Sequence, residues 1–287
     1  MNTEEKTSRS NKKHKKIIFV VILVLTVAVL ADFIWSNTYI EVKKLSGSFK
    51  DLPESFDGCK IIHISDFHNE WGLDYYERLA DKVNDCEPDY IFVTGDSVDS
   101  LFPEVDRSLK LMERLTDICP VYLVLGNHEY ALSEEDRTAF VSGAKECGVN
   151  VLTNECVTVT RGTDSISIVG LDNTVNDAEV LAQAKEDFVI LLNHYPEDCN
   201  YFNVSAEYAG THIDIDFTGH AHGGLIKLPF VNGLYAPGQG LFPQYVDGAY
   251  DIGGTTLVVS RGTGNSGVTQ RFSDPFEIIE YTLEKDK

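Results

Sequence analysis

The sequence predicts an α/β fold: a largely parallel sheet with helical crossovers, a second sheet after it, and one apolar helix in front. Three patterns carry that reading. Short apolar runs that read as strands stand at residues 60–65, 90–94, 121–125, 188–192 and 213–218. Helical apolar spacing fills 75–83, 107–115 and 134–144, each stretch followed by a strand signal, and repeated strand–helix units imply right-handed crossovers in a parallel sheet. Shorter alternating segments at 157–160, 166–170, 255–259 and 276–282 suit the second sheet.

In chain order, residues 1–16 read as a basic tail with Lys6, Arg9, Lys12, Lys13, Lys15 and Lys16. Residues 17–35 follow as an apolar run, just long enough to span a bilayer, which needs about 20 residues. Six basic residues before the run, against Lys43, Lys44 and Lys50 after it, predict a cytoplasmic N-terminus, a single-pass anchor in the cell membrane and an extracytoplasmic domain. A removable signal peptide is the competing reading, because Val29-Leu30-Ala31 fits a small-residue cleavage site. Asp32 favours cleavage or an interfacial end, whereas Trp35 marks an outer interface. Residues 36–58 are expected to form a linker and a first strand, and 59–287 the catalytic domain, a size that one α/β unit fills.

Five motifs follow the strand signals: Asp66-Phe67-His68, Gly95-Asp96, Gly126-Asn127-His128-Glu129, Asn193-His194 and Gly219-His220-Ala221-His222. Side chains two apart on an extended segment turn to one side, so Asp66 with His68, and His220 with His222, each grip one cation. Asp96 has two oxygens and can bridge two ions. Gly219, Gly223 and Gly224 let the backbone approach closely. Imidazole, carboxylate and amide donors without thiolate favour Mn, Fe or Zn.

These motifs, in this order, resemble the calcineurin-like metallophosphoesterases, whose pattern is D-x-H, G-D, G-N-H-[DE], H, G-H-x-H. The resemblance runs from about residue 60 to the C-terminus and looks closest to a small bacterial phosphodiesterase-like branch that also holds UDP-diacylglucosamine pyrophosphohydrolases. It implies a four-layer α/β/β/α sandwich and two divalent metal ions. Asp66, His68, Asp96 and His222 would hold the first ion, and Asp96, Asn127, His194 and His220 the second. Such a pair sits about 3.5–4 Å apart and acidifies a shared water for in-line attack at phosphorus. His128 matches the catalytic histidine that stabilises phosphoryl oxygens or protonates the leaving group, with Asp99 as its orienting partner. In Gly95-Asp96-Ser97-Val98-Asp99-Ser100, Ser100 replaces the arginine of the similar protein-phosphatase segment. A guanidinium clamps a monoester dianion in bidentate fashion, so its loss shifts the expectation from monoesters toward diesters and pyrophosphates. Phosphomonoesterase activity is the alternative, and a non-catalytic membrane scaffold a more distant one, since no ligand is missing. The expected substrate is a phosphorylated small molecule or lipid.

The remaining signals are weaker. An isolated histidine after an apolar run is more often structural, and only the surrounding motifs make His194 a ligand. His63 lies inside a strand and reads as core or as support behind the ligands; His14 and His212 take no role. Glu129 points away from its neighbour His128 and reads as structural. Arg261 and Arg271 are basic candidates for substrate contact. Residues 235–245, rich in Gly, Pro and aromatics, suit a substrate lip or membrane-facing rim with Phe230, Leu234, Leu241, Phe242 and Tyr245 exposed, or else an ordinary packed loop. Six cysteines in an outward-facing domain permit disulfides, a bridge among Cys59, Cys86 and Cys119 in particular, or stay free thiols. The chain has net charge −21; without residues 1–35, 18 basic residues face 42 acidic ones, a net −24. Nucleic acid is thereby unfavoured, because neutralising its backbone needs Lys and Arg.

Overall fold

A computed structural model describes residues 3–72, 74–172, 177–228 and 230–286. Helix α1 (Thr3–Ser36) leads into β1 (Ile40–Phe49), β2 (Lys60–Ile64), α2 (Tyr75–Asp85), β3 (Tyr90–Thr94), α3 (Val105–Thr116), β4 (Val121–Val124), α4 (Asn127–Ala131), α5 (Glu134–Glu146) and β5 (Asn150–Val151). The second half adds β6 (Glu155–Arg161), β7 (Asp164–Gly170), α6 (Asp177–Leu181), β8 (Val189–Leu192), α7 (Cys199–Ala209), β9 (Ile215–Thr218), the short pair β10 (Tyr235–Ala236) and β11 (Gly240–Leu241), β12 (Gly248–Ile252), β13 (Thr255–Val259) and β14 (Phe276–Lys285).

Two six-stranded sheets result, ordered β1-β14-β2-β3-β4-β5 and β12-β13-β9-β8-β7-β6. Strands β2 to β5 run parallel in the first sheet, and β7, β8, β9 and β13 in the second. Alternation along each strand sends residues to opposite faces. In β2, Ile62 and Ile64 join the core with α2, α3 and α5, while Ile61 enters the core between the sheets. In β8, Val189 and Leu191 pack with α6 and α7, and Ile190 and Leu192 face the first sheet. Both faces are covered, which is why these strands read as unbroken apolar runs. The α3 face Ser108, Leu111, Met112 and Leu115 is buried at three- and four-residue intervals.

The α/β/β/α layering matches expectation, and two placements differ from it. Residues 276–282 form β14 of the first sheet, between β1 and β2, not a strand of the second. Alternation reports that a strand has two faces but not which distant strand it pairs with. Helix α7 escaped the sequence because Tyr201, Val204 and Tyr208 are exposed opposite buried Phe202 and Ala206, which blurs its period. Within 36–58, residues 37–39 join α1 to β1, which pairs in parallel along all of β14. The basic tail belongs to the same helix α1 from residue 3 on. Its stretch Lys13–Ser36 is long and apolar enough to cross a membrane, and none of its most apolar window is buried against the domain.

All six cysteines are free, so no bridge joins Cys59, Cys86 and Cys119. Burial pushes the Cys59 thiol up to about 12 and keeps it a small apolar filler.

Phe217 of β9 sits at the centre of the inter-sheet core, with ring centroids 5.2 Å from His63, 5.4 Å from Phe92 and 5.5 Å from Tyr281. Phe217→Ala should cost about 3–5 kcal/mol, read as a lowered urea midpoint at unchanged slope. One residue earlier in the same strand, buried Asp216 accepts a hydrogen bond from Asn193 at 2.7 Å and is pushed up to about 8 by burial. A carboxyl raised on folding holds its proton in the native state, so it lowers stability as pH rises above the unfolded value near 4. The stability advantage of Asp216→Asn over the parent should therefore grow from about pH 4 and level off above about 8, measured by urea unfolding at several pH values.

Candidate metal centre

The five motifs leave the carboxyl ends of β2, β3 and β4 in one sheet and of β8 and β9 in the other, the edge at which α/β sheets build sites. The first two loops run side by side: the Asp66 amide donates to Gly95 O at 3.0 Å, His68 to Asp96 O at 2.9 Å and Asn69 to Ser97 O at 3.0 Å. To aim inward, Asp66, His68, Asp96, His220 and His222 all take left-handed backbone conformations, with φ between 47° and 64°. Such conformations cost non-glycine residues free energy and persist only where the surroundings over-determine them. Gly95, at φ 89°, has no alternative residue: a Cβ there would stand 2.6 Å from the Gly126 nitrogen and 2.8 Å from His194 Nδ1.

The seven expected ligand residues come together in two groups. In the first, His222 Nε2 lies 3.4 Å from Asp66 Oδ1 and 3.4 Å from His68 Nε2, and His68 Nε2 lies 3.8 Å from Asp96 Oδ2. In the second, His194 Nε2 lies 3.2 Å from Asp96 Oδ2, 3.1 Å from Asn127 Oδ1 and 3.1 Å from His220 Nδ1. Asp96 belongs to both. Metal–ligand bonds of about 2.0–2.2 Å place neighbouring donors about 3–3.5 Å apart, so both groups fit one cation each. All of these donors but Asn127 belong to buried residues, and facing imidazole nitrogens with few protons to share are what a cation reconciles. Burial pushes the Asp96 carboxyl up, but His194 and His68 beside it outweigh that and hold it below the usual range. Burial lowers His194, yet Asp96 pulls it up to about 10. His220 is pushed down to about 4 by burial and by His194.

His128 borders the first group, its ring centroid 4.5 Å from that of His68. Its hydrogen bond at Nδ1 comes from Ser100, whose amide donates at 3.0 Å, whereas Asp99 Oδ2 stands 3.7 Å away. An amide is an obligate donor, so Nδ1 accepts and the proton sits on Nε2, where Ser266 Oγ is 3.2 Å away. Burial holds His128 below its usual value, and the ring is neutral at pH 7. Asp99 Oδ2 is nearer His68, 3.5 Å from Nδ1, and accepts from the Gly267 amide at 2.7 Å. Asp99 thus acts on His68 as much as on His128.

Glu129 is structural, as its position suggested. Its carboxyl accepts from the amides of Asp96, Gly126 and Val98, each at 2.8 Å, and ties the second and third loops together. Burial, then Asp96, pushes it up to about 7. His63 is core: burial drives it down to about 3, and its Nε2 meets Thr94 Oγ1 at 2.8 Å. Arg261 and Arg271 do not reach substrate space. Arg261 is buried against Glu277, Glu41 and Asp274, and fully buried Arg271 donates to Gly264 O at 2.7 Å with its Nη2 3.2 Å from His222 Nδ1. In the 230–245 region Phe230, Leu241 and Phe242 are exposed as expected, but Leu234 and Tyr245 are half-buried.

Sequence reasoning missed Tyr195 and Ser266. Tyr195 is edge-on to both His194 and His220, with centroids 5.1 and 4.7 Å away, and helps line a cavity of about 320 Å³ with Leu125, Leu171, Asp172, Tyr201 and Phe202. Its place directly after His194 was the available signal. Ser266 lies in no motif, and only the folding of residues 263–274 brings it to His128.

A family model for the calcineurin-like phosphoesterases matches residues 59–224. The chain is 27% identical to the uncharacterized metallophosphoesterase YkoQ of Bacillus subtilis, over 93% of this chain and 100% of that one. It is 28% identical to YkuE of the same organism, over 81% and 82%. A transmembrane protein with metallophosphoesterase domain from Danio rerio is 28% identical over 82% of this chain and 55% of its own. With the model covering more than half its length and the whole motif series in register, the chain belongs to the calcineurin-like phosphoesterases and is a metal-dependent phosphoesterase.

Proposed function

We propose that the protein is a membrane-anchored phosphohydrolase with two divalent ions, acting on phosphodiesters or pyrophosphates. The observation that carries this reading is the pair of donor groups joined at Asp96, with Ser100 in place of a phosphate-clamping arginine beside His128. Asp66, His68, Asp96 and His222 would hold one ion, and Asp96, Asn127, His194 and His220 the other. When bound, the ions supply charge neutralisation and an acidified water, which Mn, Fe or Zn all provide.

The chain's own residues do the rest. His128 lies beside the first group with its Nε2–H on Ser266 Oγ, and with substrate bound that N–H would turn to a phosphoryl oxygen or a departing alkoxide. The Ser100 amide holds that tautomer. The Asp99 carboxylate, 3.5 Å from His68 Nδ1 and 3.7 Å from His128 Nδ1, keeps a negative charge beside both rings. Tyr195 and the cavity beside His194 offer room for an organic group on the substrate.

The apolar stretch Lys13–Ser36 supports anchoring, and the Lys and Arg residues before it support an N-terminus in the cytoplasm with the domain outside. A lipid phosphoester and a soluble one remain the two substrate sources, and a domain of net −24 disfavours nucleic acid.

The protein stripped with chelator and reloaded with Mn²⁺ should hydrolyse bis-p-nitrophenyl phosphate faster than p-nitrophenyl phosphate, and Asp96→Ala should abolish both. A monoester preference refutes the diester reading. His128→Ala should retain metal by elemental analysis while kcat on the diester falls by about 10²–10⁴-fold, the usual worth of a general acid. Ser100→Arg should raise the ratio of monoester to diester turnover by about tenfold or more, the worth of one charge-assisted hydrogen bond.

A further inference from the structure

The end of α1 is bound directly to the loop that borders the metal centre. Asp32 accepts from the Ser273 amide at 2.9 Å and from its hydroxyl at 2.8 Å. Ser36 Oγ stands 3.3 Å from the donating Asp274 amide. Asn37 donates to Arg271 O at 2.9 Å and accepts from the Arg271 amide at 3.0 Å and from Asn265 Nδ2 at 3.1 Å. The same loop reaches the site through Ser266, at His128, and Gly267, at Asp99. Only residues 37–39 separate α1 from β1, so no spacer lifts the domain away from the helix. An apolar run of 19 residues at 1.5 Å each covers about 28 Å, close to the hydrocarbon thickness, which puts Trp35 and Asn37 near the membrane boundary.

Two sets of exposed apolar side chains are joined to this same loop. Trp71, Leu101 and Val268 are 64%, 67% and 79% exposed, and all sit beside the loop. The Trp71 amide donates to Glu70, whose carboxylate also accepts from the Asn265 amide at 2.6 Å, and a Cβ on Gly267 would meet Leu101 Cδ1 at 2.9 Å. The second set is Phe230, Leu241 and Phe242, fully or two-thirds exposed. It is tied in through Lys227 and Leu225, whose backbones exchange hydrogen bonds with Phe272 at 3.0 Å, next to Ser273. Clustered large apolar side chains on a surface mark contact with a partner or a membrane, and the loop they adjoin is the one that receives the end of apolar α1.

Resting on the anchored reading of the protein, we propose that the two sets dip into the lipid interface, so that the mouth of the metal centre is seated on the bilayer surface. The occupant of this surface is the membrane that α1 itself spans. Its test uses the chain's two tryptophans, Trp35 and Trp71. Full-length Trp35→Phe, reconstituted in phosphatidylcholine vesicles, keeps Trp71 as sole emitter. Replacing the lipid by phosphatidylcholine brominated near the top of its acyl chains should cut the Trp71 emission by half or more, with little quenching by added iodide. Full-length Trp71→Phe should show Trp35 quenched in the same vesicles. Trp71 emission indifferent to bromolipid and open to iodide overturns the seating, and so does an unquenched Trp35. Mn²⁺-dependent hydrolysis of bis-p-nitrophenyl phosphate, measured on the same vesicles, tests the catalytic reading separately: quenching without hydrolysis sinks that reading alone, and hydrolysis without quenching sinks only the seating.

Discussion

Two buried carboxylates set the terms for the rest of the molecule. Asp66 and Asp96 are withdrawn from water at the meeting line of two sheets, and charges taken from water must be compensated on the spot. Four imidazoles do so here. His194 is drawn up to about 10 while its neighbour His220 is pushed down to about 4, so the second group shares out protons where a cation would replace them. A centre of this kind takes up metal by releasing protons, which couples its loading to pH. The left-handed conformations at five of these residues are held by what surrounds them: Glu129 gripping three amides, Gly95 allowing the third loop to pass, and strands rooted in two cores.

Residues 263–274 have a role out of proportion to their lack of regular structure. They close the gap between β13 and β14, cover the His128 side of the centre, and receive the end of α1. Arg271 shows how tightly the three are joined, with its backbone on Asn37 and its guanidinium beside His222. A lone buried guanidinium is costly, and Asp274 and Gly264 O are its nearest relief. The helix end thus stabilises a loop whose side chains also shape the site.

Much of this was legible because it rests on local periodicity and short motifs. Strands β2, β3, β4, β8 and β9 sit within two residues of their expected bounds, since burial on both faces writes them as continuous apolar runs, and each is followed by its ligand motif. What sequence could not show was pairing across distance. The position of β14 depends on β1, more than two hundred residues away in the chain, and Arg261 and Arg271 looked free because their partners Glu277, Glu41 and Gly264 are linked to them only by the fold. The histidine partner also turned on geometry: Asp99 and Ser100 are adjacent in sequence, and the turn of the backbone hands His128 Nδ1 to the Ser100 amide while sending Asp99 toward His68.

The replacement at Ser100 acquires weight from the charge of the whole domain. A net −24 sets up a field that repels anions, and the repulsion scales with the charge the substrate carries. A monoester dianion meets about twice the penalty of a diester monoanion on the same approach, and at the site it finds a hydroxyl and an amide where a guanidinium would have repaid it. Surface charge and site chemistry are therefore two independent grounds for the proposed preference for phosphoryl groups with one negative charge per phosphorus. If the mouth lies against the bilayer, exposed apolar side chains such as Trp71 and Leu101 would meet an approaching substrate beside the donor groups, and the charge penalty on that approach would be smaller.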